Sequence, residues 1–210
     1  MIRQIQVQKP ASAAREQALV LPVFRGTRRL SAGAAKLDRA FGATAALLLD
    51  SGFKGERGET RIASVKRGRG LAHTVLVGLG DAAAASPENL SDAAGAAARA
   101  LLGHRARSAG VYLDDVIAQR SLDAADVAHA FTKAFGLAAY QVGTSQPDRM
   151  ARLTLLTTRP ARELASTVRR ARLLVDWMAR VRDWVNMPPN AMTPASFVSG
   201  AVAALKKDGV

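Results

Sequence analysis

Apolar and polar positions largely alternate along residues 2–8, Ile-Arg-Gln-Ile-Gln-Val-Gln, and residues 18–24 carry the apolar run Leu19-Val20-Leu21. Two strands joined through residues 10–14 therefore open the chain. The period then lengthens: Ala34, Leu37, Ala40 and Phe41 share one helical face behind Ser31, a hydroxyl N-cap, and a second apolar segment at residues 45–49 follows Gly42. Glycines at 52, 55 and 58 mark a loop. Residues 60–66 and 74–79 predict the next strand pair across Arg67-Gly68-Arg69-Gly70, and its second member closes in Gly78-Leu79-Gly80-Asp81.

Ser86-Pro87-Glu88 combines a hydroxyl cap, proline at the first helical position and an acid in the first turn, and the helix it opens turns Leu90, Ala94, Ala97 and Leu101 inward. Residues 82–85 before it read as a short connection. Residues 110–117 predict a strand, residues 123–140 a helix with Val127, Phe131, Phe135 and Ala138 inward, and residues 153–157 another strand. Strands alternating with helices at these spacings give a layered α/β domain. From residue 161 to 185 the apolar positions Leu164, Val168, Ala171, Val175, Met178, Val181 and Val185 recur every three or four, with no interior Gly or Pro. One helix of about seven turns is expected there. Pro188 and Pro189 must break it, and Thr193-Pro194 restarts a helix running to about Lys207, where Asp208-Gly209 ends it. The chain thus divides into a domain at 1–160, a linking helix at 161–187 and a final segment at 188–210.

Composition narrows the class. A 49% hydrophobic content suits a folded chain, and no apolar run approaches the roughly 20 residues of a bilayer span. The alternating amino terminus lacks a signal peptide's apolar core, so a cytoplasmic location is expected. With no cysteine there is no disulfide framework, thiolate metal site or thiol nucleophile. Thirty Lys+Arg against 17 Asp+Glu give a net charge of +13, which keeps DNA binding open, although Arg excess with abundant Ala also matches GC-rich coding. Arg149, Arg152, Arg159, Arg162, Arg169, Arg170, Arg172, Arg180 and Arg182 gather late in the chain without forming one stripe. Trp177 and Trp184, seven apart beside the apolar seam, favour a helix packed against another domain or subunit.

Candidate chemistry is sparse. His73, His104 and His129 are far apart in sequence and none has a second ligand at the i+4 spacing of a helical metal site; Asp126 near His129 reads as a surface pair. Ser64, Ser86 and Ser91 have no evident base partner and no Gly-x-Ser-x-Gly elbow occurs. Gly78-Leu79-Gly80 follows an apolar strand but opens no helix, and residues 52–58 hold Lys54 and Arg57 without a P-loop ending, so both read as turns before phosphate loops. No catalytic, cofactor-binding or metal-ligating residue is assigned in this chain.

Asn186-Met187-Pro188-Pro189-Asn190-Ala191-Met192-Thr193-Pro194 resembles the linker signature of the leucyl (cytosol) aminopeptidase family, Asn-x-Pro-Pro-Asn-x-x-Thr-Pro after a long helix. Phe53-Lys54-Gly55 looks like that family's Phe-Lys-Gly loop, and the order of elements agrees across nearly the whole chain. Tyr140-Gln141-Val142-Gly143 departs from it, since many members carry an aromatic residue two positions after the tyrosine. The resemblance implies a three-layer α/β/α, macro-domain-like fold with a mixed sheet, standing before a catalytic domain that holds two divalent metal ions, zinc or manganese. That domain's motifs, such as Asn-Thr-Asp-Ala-Glu-Gly-Arg, are not found here, and residue 210 falls about where its first strand is expected. It further implies a peptide-cleaving parent, assembly as a hexamer, and a non-catalytic role for this segment in assembly and access. A nucleotide- or ADP-ribose-binding module and a DNA-binding domain are the alternatives.

Overall fold

The structure, a computed structural model, describes residues 2–119, 121–142 and 150–208. Six strands, β1 (Gln4–Gln8), β2 (Ala18–Val23), β3 (Thr60–Arg67), β4 (Gly70–Gly78), β5 (Ser108–Tyr112) and β6 (Arg152–Leu156), form one sheet in the order β1-β6-β5-β2-β4-β3. All neighbours are parallel except β3 and β4, which make an antiparallel hairpin. The mixed sheet is sandwiched. On one face α1 (Ala32–Ala40) and α2 (Ala45–Asp50) pack Leu37, Phe41 and Leu48 onto Leu19, Leu21 and Leu76. On the other, α3 (Pro87–Gly103) and α5 (Ala124–Ala138) pack Leu90, Leu101, Phe131 and Phe135 onto Val20, Val75, Val111 and Leu153. This is a three-layer α/β/α domain, and its central strands are buried throughout because both faces are covered.

Caps set the helix starts that the sequence announces. Ser31 Oγ accepts from the Ala34 amide at 3.1 Å and Ser86 Oγ from the Asn89 amide at 3.3 Å. Two connections are tighter than expected, since residues Pro10–Arg15 and Ala82–Ala84 are short 3-10 turns. The strand expected at residues 110–117 is corrected. β5 stops at Tyr112, and α4 (Asp114–Ile117) turns away because the Asp114 carboxylate accepts from the Thr157 hydroxyl (2.6 Å) and the Thr158 amide (3.0 Å) beyond β6.

A buried carboxylate locks the far edge of the sheet. Glu16 accepts from Arg152 Nε at 3.0 and 3.1 Å and from the Thr154 hydroxyl at 2.8 Å, so the segment before β2 is held to β6 by charge-assisted bonds.

The long helix α6 (Ala161–Val185) lies on α5 and β1, burying Leu164, Val168, Ala171, Val175 and Ala179. The close approach to α5 happens at Gly136, where a Cβ would stand 2.7 Å from Val175 Cγ2. Arg172 fixes the near half by donating to the Arg3 carbonyl at 2.9 Å, and Arg182 caps the end of α5 by donating to the Leu137 carbonyl at 2.9 Å. Replacing Gly136 by Ala should therefore wedge the two helices apart and lower stability by about 1–3 kcal/mol, the usual cost of overpacking. Gly103→Ala, where a Cβ meets nothing within 4 Å, is the control and should be neutral or slightly stabilising. Urea unfolding of both variants checks this; equal midpoints would show that the α5–α6 contact is not close-packed.

Candidate functional site: an uncovered apolar face

The side chains that α6 buries follow the expected seam only to Val175, after which the covered position is Ala179 in place of Met178. Met178, Val181 and Val185 stay exposed, with Leu174 one turn earlier, and at 4-3-4 spacing these four make a second apolar stripe. Adjacent residues on a helix are about 100° apart, so a stripe shifted by one position from Val175–Ala179 lies on the flank of α6, roughly a quarter turn from the face on α5. Val185 is 79% exposed against 5% for Val168. The apolar positions expected along one helix from Leu164 to Val185 thus fall into two stripes, one covered and one not.

The chain then turns. Asn186 Nδ2 donates to the Arg182 carbonyl at 2.7 Å, and the Pro188 carbonyl accepts from the Ala191 and Met192 amides at 2.9 and 3.0 Å, so the proline pair sits in a compact turn. Thr193 and Ser196 cap α7 (Pro194–Asp208) reciprocally: the Thr193 amide donates to Ser196 Oγ at 2.9 Å and the Ser196 amide to Thr193 Oγ1 at 3.2 Å. Trp184 meets Phe197 edge-to-face at 5.3 Å and lies against Gly200. Beyond that contact α7 is poorly covered, with Phe197, Val198, Val202 and Leu205 all exposed. Exposed apolar side chains gathered on two successive helices mark a candidate interaction face.

The other residues singled out from sequence take structural places. The two glycine clusters come together: Gly80 N–H donates to the Gly55 carbonyl at 2.9 Å and Gly58 N–H to the Gly78 carbonyl at 2.9 Å. A Cβ on Gly78 would stand 2.0 Å from the Glu56 carbonyl oxygen, which is why this contact needs glycine. Inside the 52–58 loop the amides of Lys54 and Glu56 already donate to the Glu59 carboxylate at 3.0 and 3.2 Å. An internal anion thus sits where a phosphate would, so these backbone donors are spent.

His73 and His104, remote in sequence, meet with ring centroids 5.5 Å apart, and Ser64 Oγ hydrogen-bonds His73 Nδ1 at 2.8 Å, so the expectation that Ser64 has no base partner is corrected. The hairpin register pairs Ser64 with His73, as counting outward from the Arg67–Gly70 closure would have shown. Burial, then the neighbouring His104, hold His73 below its ordinary pKa. Among the described residues no carboxylate bonds its ring, and Ser64 and His73 make a cross-strand contact toward the amino end of β4. His129 is lowered by burial and by Lys133. Among the described residues no group of three or more His, Asp or Glu side chains could hold a metal.

The late arginines divide. Arg152, Arg172 and Arg182 are engaged in the contacts above and Arg180 stacks over Trp177 at 5.0 Å, whereas Arg162, Arg169 and Arg170 are exposed. Arg149, Gly143 and Gly209 lie outside the described residues. No helix is long and apolar enough to cross a membrane among the described residues.

Comparison with known proteins follows the same outline. The model of the cytosol aminopeptidase family, N-terminal domain, matches residues 20–146. A probable cytosol aminopeptidase of Streptomyces griseus is 35% identical over 95% of this chain, and one of Streptomyces coelicolor 31% identical over 95%. The chain spans 42% of the length of each of these relatives. Among solved structures, a mutant of tomato leucine aminopeptidase superposes with a TM-score of 0.72 at 20% identity, over 99% of this chain and 42% of that one. The bottromycin maturation enzyme BotP in complex with Mn gives 0.69 at 21% identity, over 92% and 37%.

The uncovered stripe has a direct readout. In the isolated chain Trp184 should be more quenchable by acrylamide than a fully buried indole, and the protein should self-associate through α6 and α7. Quenching in the single variants Trp177→Phe and Trp184→Phe, with sedimentation, tests this. Full protection of the remaining tryptophan in both, in a monomer, would mean that the stripe is satisfied within the domain.

Proposed function

Because the chain belongs to the cytosol aminopeptidase family, as its N-terminal domain, we propose that the whole protein is a cytoplasmic metal-dependent aminopeptidase that removes N-terminal amino acids from peptides. In this reading residues 1–160 are the non-catalytic domain, 161–187 the linking helix, and 188–210 the entry to the catalytic domain. The observation that carries it is the uncovered second stripe of α6, followed in the chain by the exposed apolar residues of α7, which fits a chain's own catalytic domain as the cover. Docking along it fixes the angle between the domains, and so contributes to assembly of the oligomer, a hexamer, and to access of peptides to the active site.

Two divalent ions, zinc or manganese, supply the metal-activated water when bound in such an enzyme. The described residues of this chain do not fit them, and no step is assigned to these residues. The manganese in the BotP complex is in keeping with metal use across this fold. The chain alone should give no turnover of leucine p-nitroanilide with added Mn²⁺ or Zn²⁺. Activity that copurifies with it and is abolished by a chelator would overturn the division of labour.

A further inference from the structure

β2 and β5 are neighbours in the sheet, yet the chain leaves β2 for α1 on one face and β5 for α5 on the other. Such a topological switch point opens a crevice outside the carboxyl ends of the strands, where open α/β sheets take their ligands. Here the crevice is a cavity of about 340 Å³, with Phe24, Thr27, Arg29 and Leu30 on the wall after β2 and Asp115 and Gln119 on the wall after β5. Its two charges are opposite and only partly used. Asp115 Oδ2 accepts from Ser31 Oγ at 2.9 Å, and among the described residues Oδ1 has no donor and Arg29 no partner. Burial holds Asp115 above the usual carboxylate range, so a cation arriving there meets a partly desolvated charge.

We propose that this crevice binds a free α-amino acid with an apolar side chain: Arg29 takes its carboxylate, Asp115 its ammonium, and Phe24 and Leu30 flank the side chain. A guanidinium and a carboxylate on facing walls with apolar surface between them match a zwitterion better than an anion or a cation alone. The cavity, about 340 Å³, is large enough for one such molecule. The choice of a leucine-like ligand rests on the aminopeptidase reading, in which free amino acids are the product.

Isothermal titration of the 210-residue chain with L-leucine tests this, with 4-methylpentanoate and isopentylamine as analogues carrying one charge each. Saturable binding of L-leucine is expected, weakened at least about tenfold by Arg29→Gln or by Asp115→Asn, with both analogues binding worse than leucine. Arg29 is on an exposed loop, so its variant keeps the test valid if Asp115→Asn fails to fold. No saturation up to about 50 mM, or binding that ignores both substitutions, overturns the site. Because binding is read without hydrolysis, leucine binding in a parent that cleaves no peptide would sink only the peptidase reading. Hydrolysis by a parent whose N-terminal domain ignores leucine would sink only the crevice.

Discussion

A helix can bury only the face that its own domain reaches, and α6 carries two apolar faces. The stripe Leu164, Val168, Ala171, Val175 and Ala179 is drawn onto α5 and β1, each large side chain contributing about 1.5–3 kcal/mol on burial. The helix cannot also turn Leu174, Met178, Val181 and Val185 inward, because Gly136 lets Val175 so close that the rotation is fixed. Arg172 at the middle of the helix and Arg182 near its end, each bonded to a backbone carbonyl, oppose any roll. The uncovered stripe is therefore a consequence of how well the first one packs.

The same logic explains the charge. Several of the acids are spent inside the domain: Glu16 on Arg152 and Thr154, Asp38 on the Ala45 amide, Glu59 on the loop amides, Asp114 on the segment after β6. Each replaces water on a backbone or guanidinium donor, which is worth more in a partly buried place than on the surface. Cations such as Arg162, Arg169 and Arg170 are left outside. The net charge of +13 already counts these internal acids, so the exposed surface is no less basic than that figure, with its cations spread around α6 and not gathered in one stripe.

Most of the layer order was legible because period and punctuation agreed. The α6 limits, the Ser31 and Ser86 caps and the hairpin around Gly68 all follow from local chemistry that the fold does not override. What was not legible depends on partners distant in sequence. Residues 113–117 look like a continuing strand until Asp114 finds Thr157 and Thr158, and Glu16 gives no sign of being buried until Arg152 is beside it. The rotation of α6 after Val175 belongs to the same class. Met178 and Ala179 are both apolar, and only the Gly136 contact decides between them.

Helix α7 shows what the exposed stripe requires. It is 15 residues long, near the length at which an isolated helix is marginal in water, and none of its side chains at 194–206 is buried. Its start is well specified by Pro194 and the Thr193–Ser196 bonds, and Phe197 packs on Trp184. A cap and one aromatic pair are worth only a few kcal/mol together, against about 1 kcal/mol of backbone entropy for every residue ordered. The helix and the distal half of α6 are consequently the part of the chain whose order depends most on a cover. A catalytic domain seated on both would supply the missing burial and hold the proline turn at one angle, so folding of the joint and docking of the domains become one event.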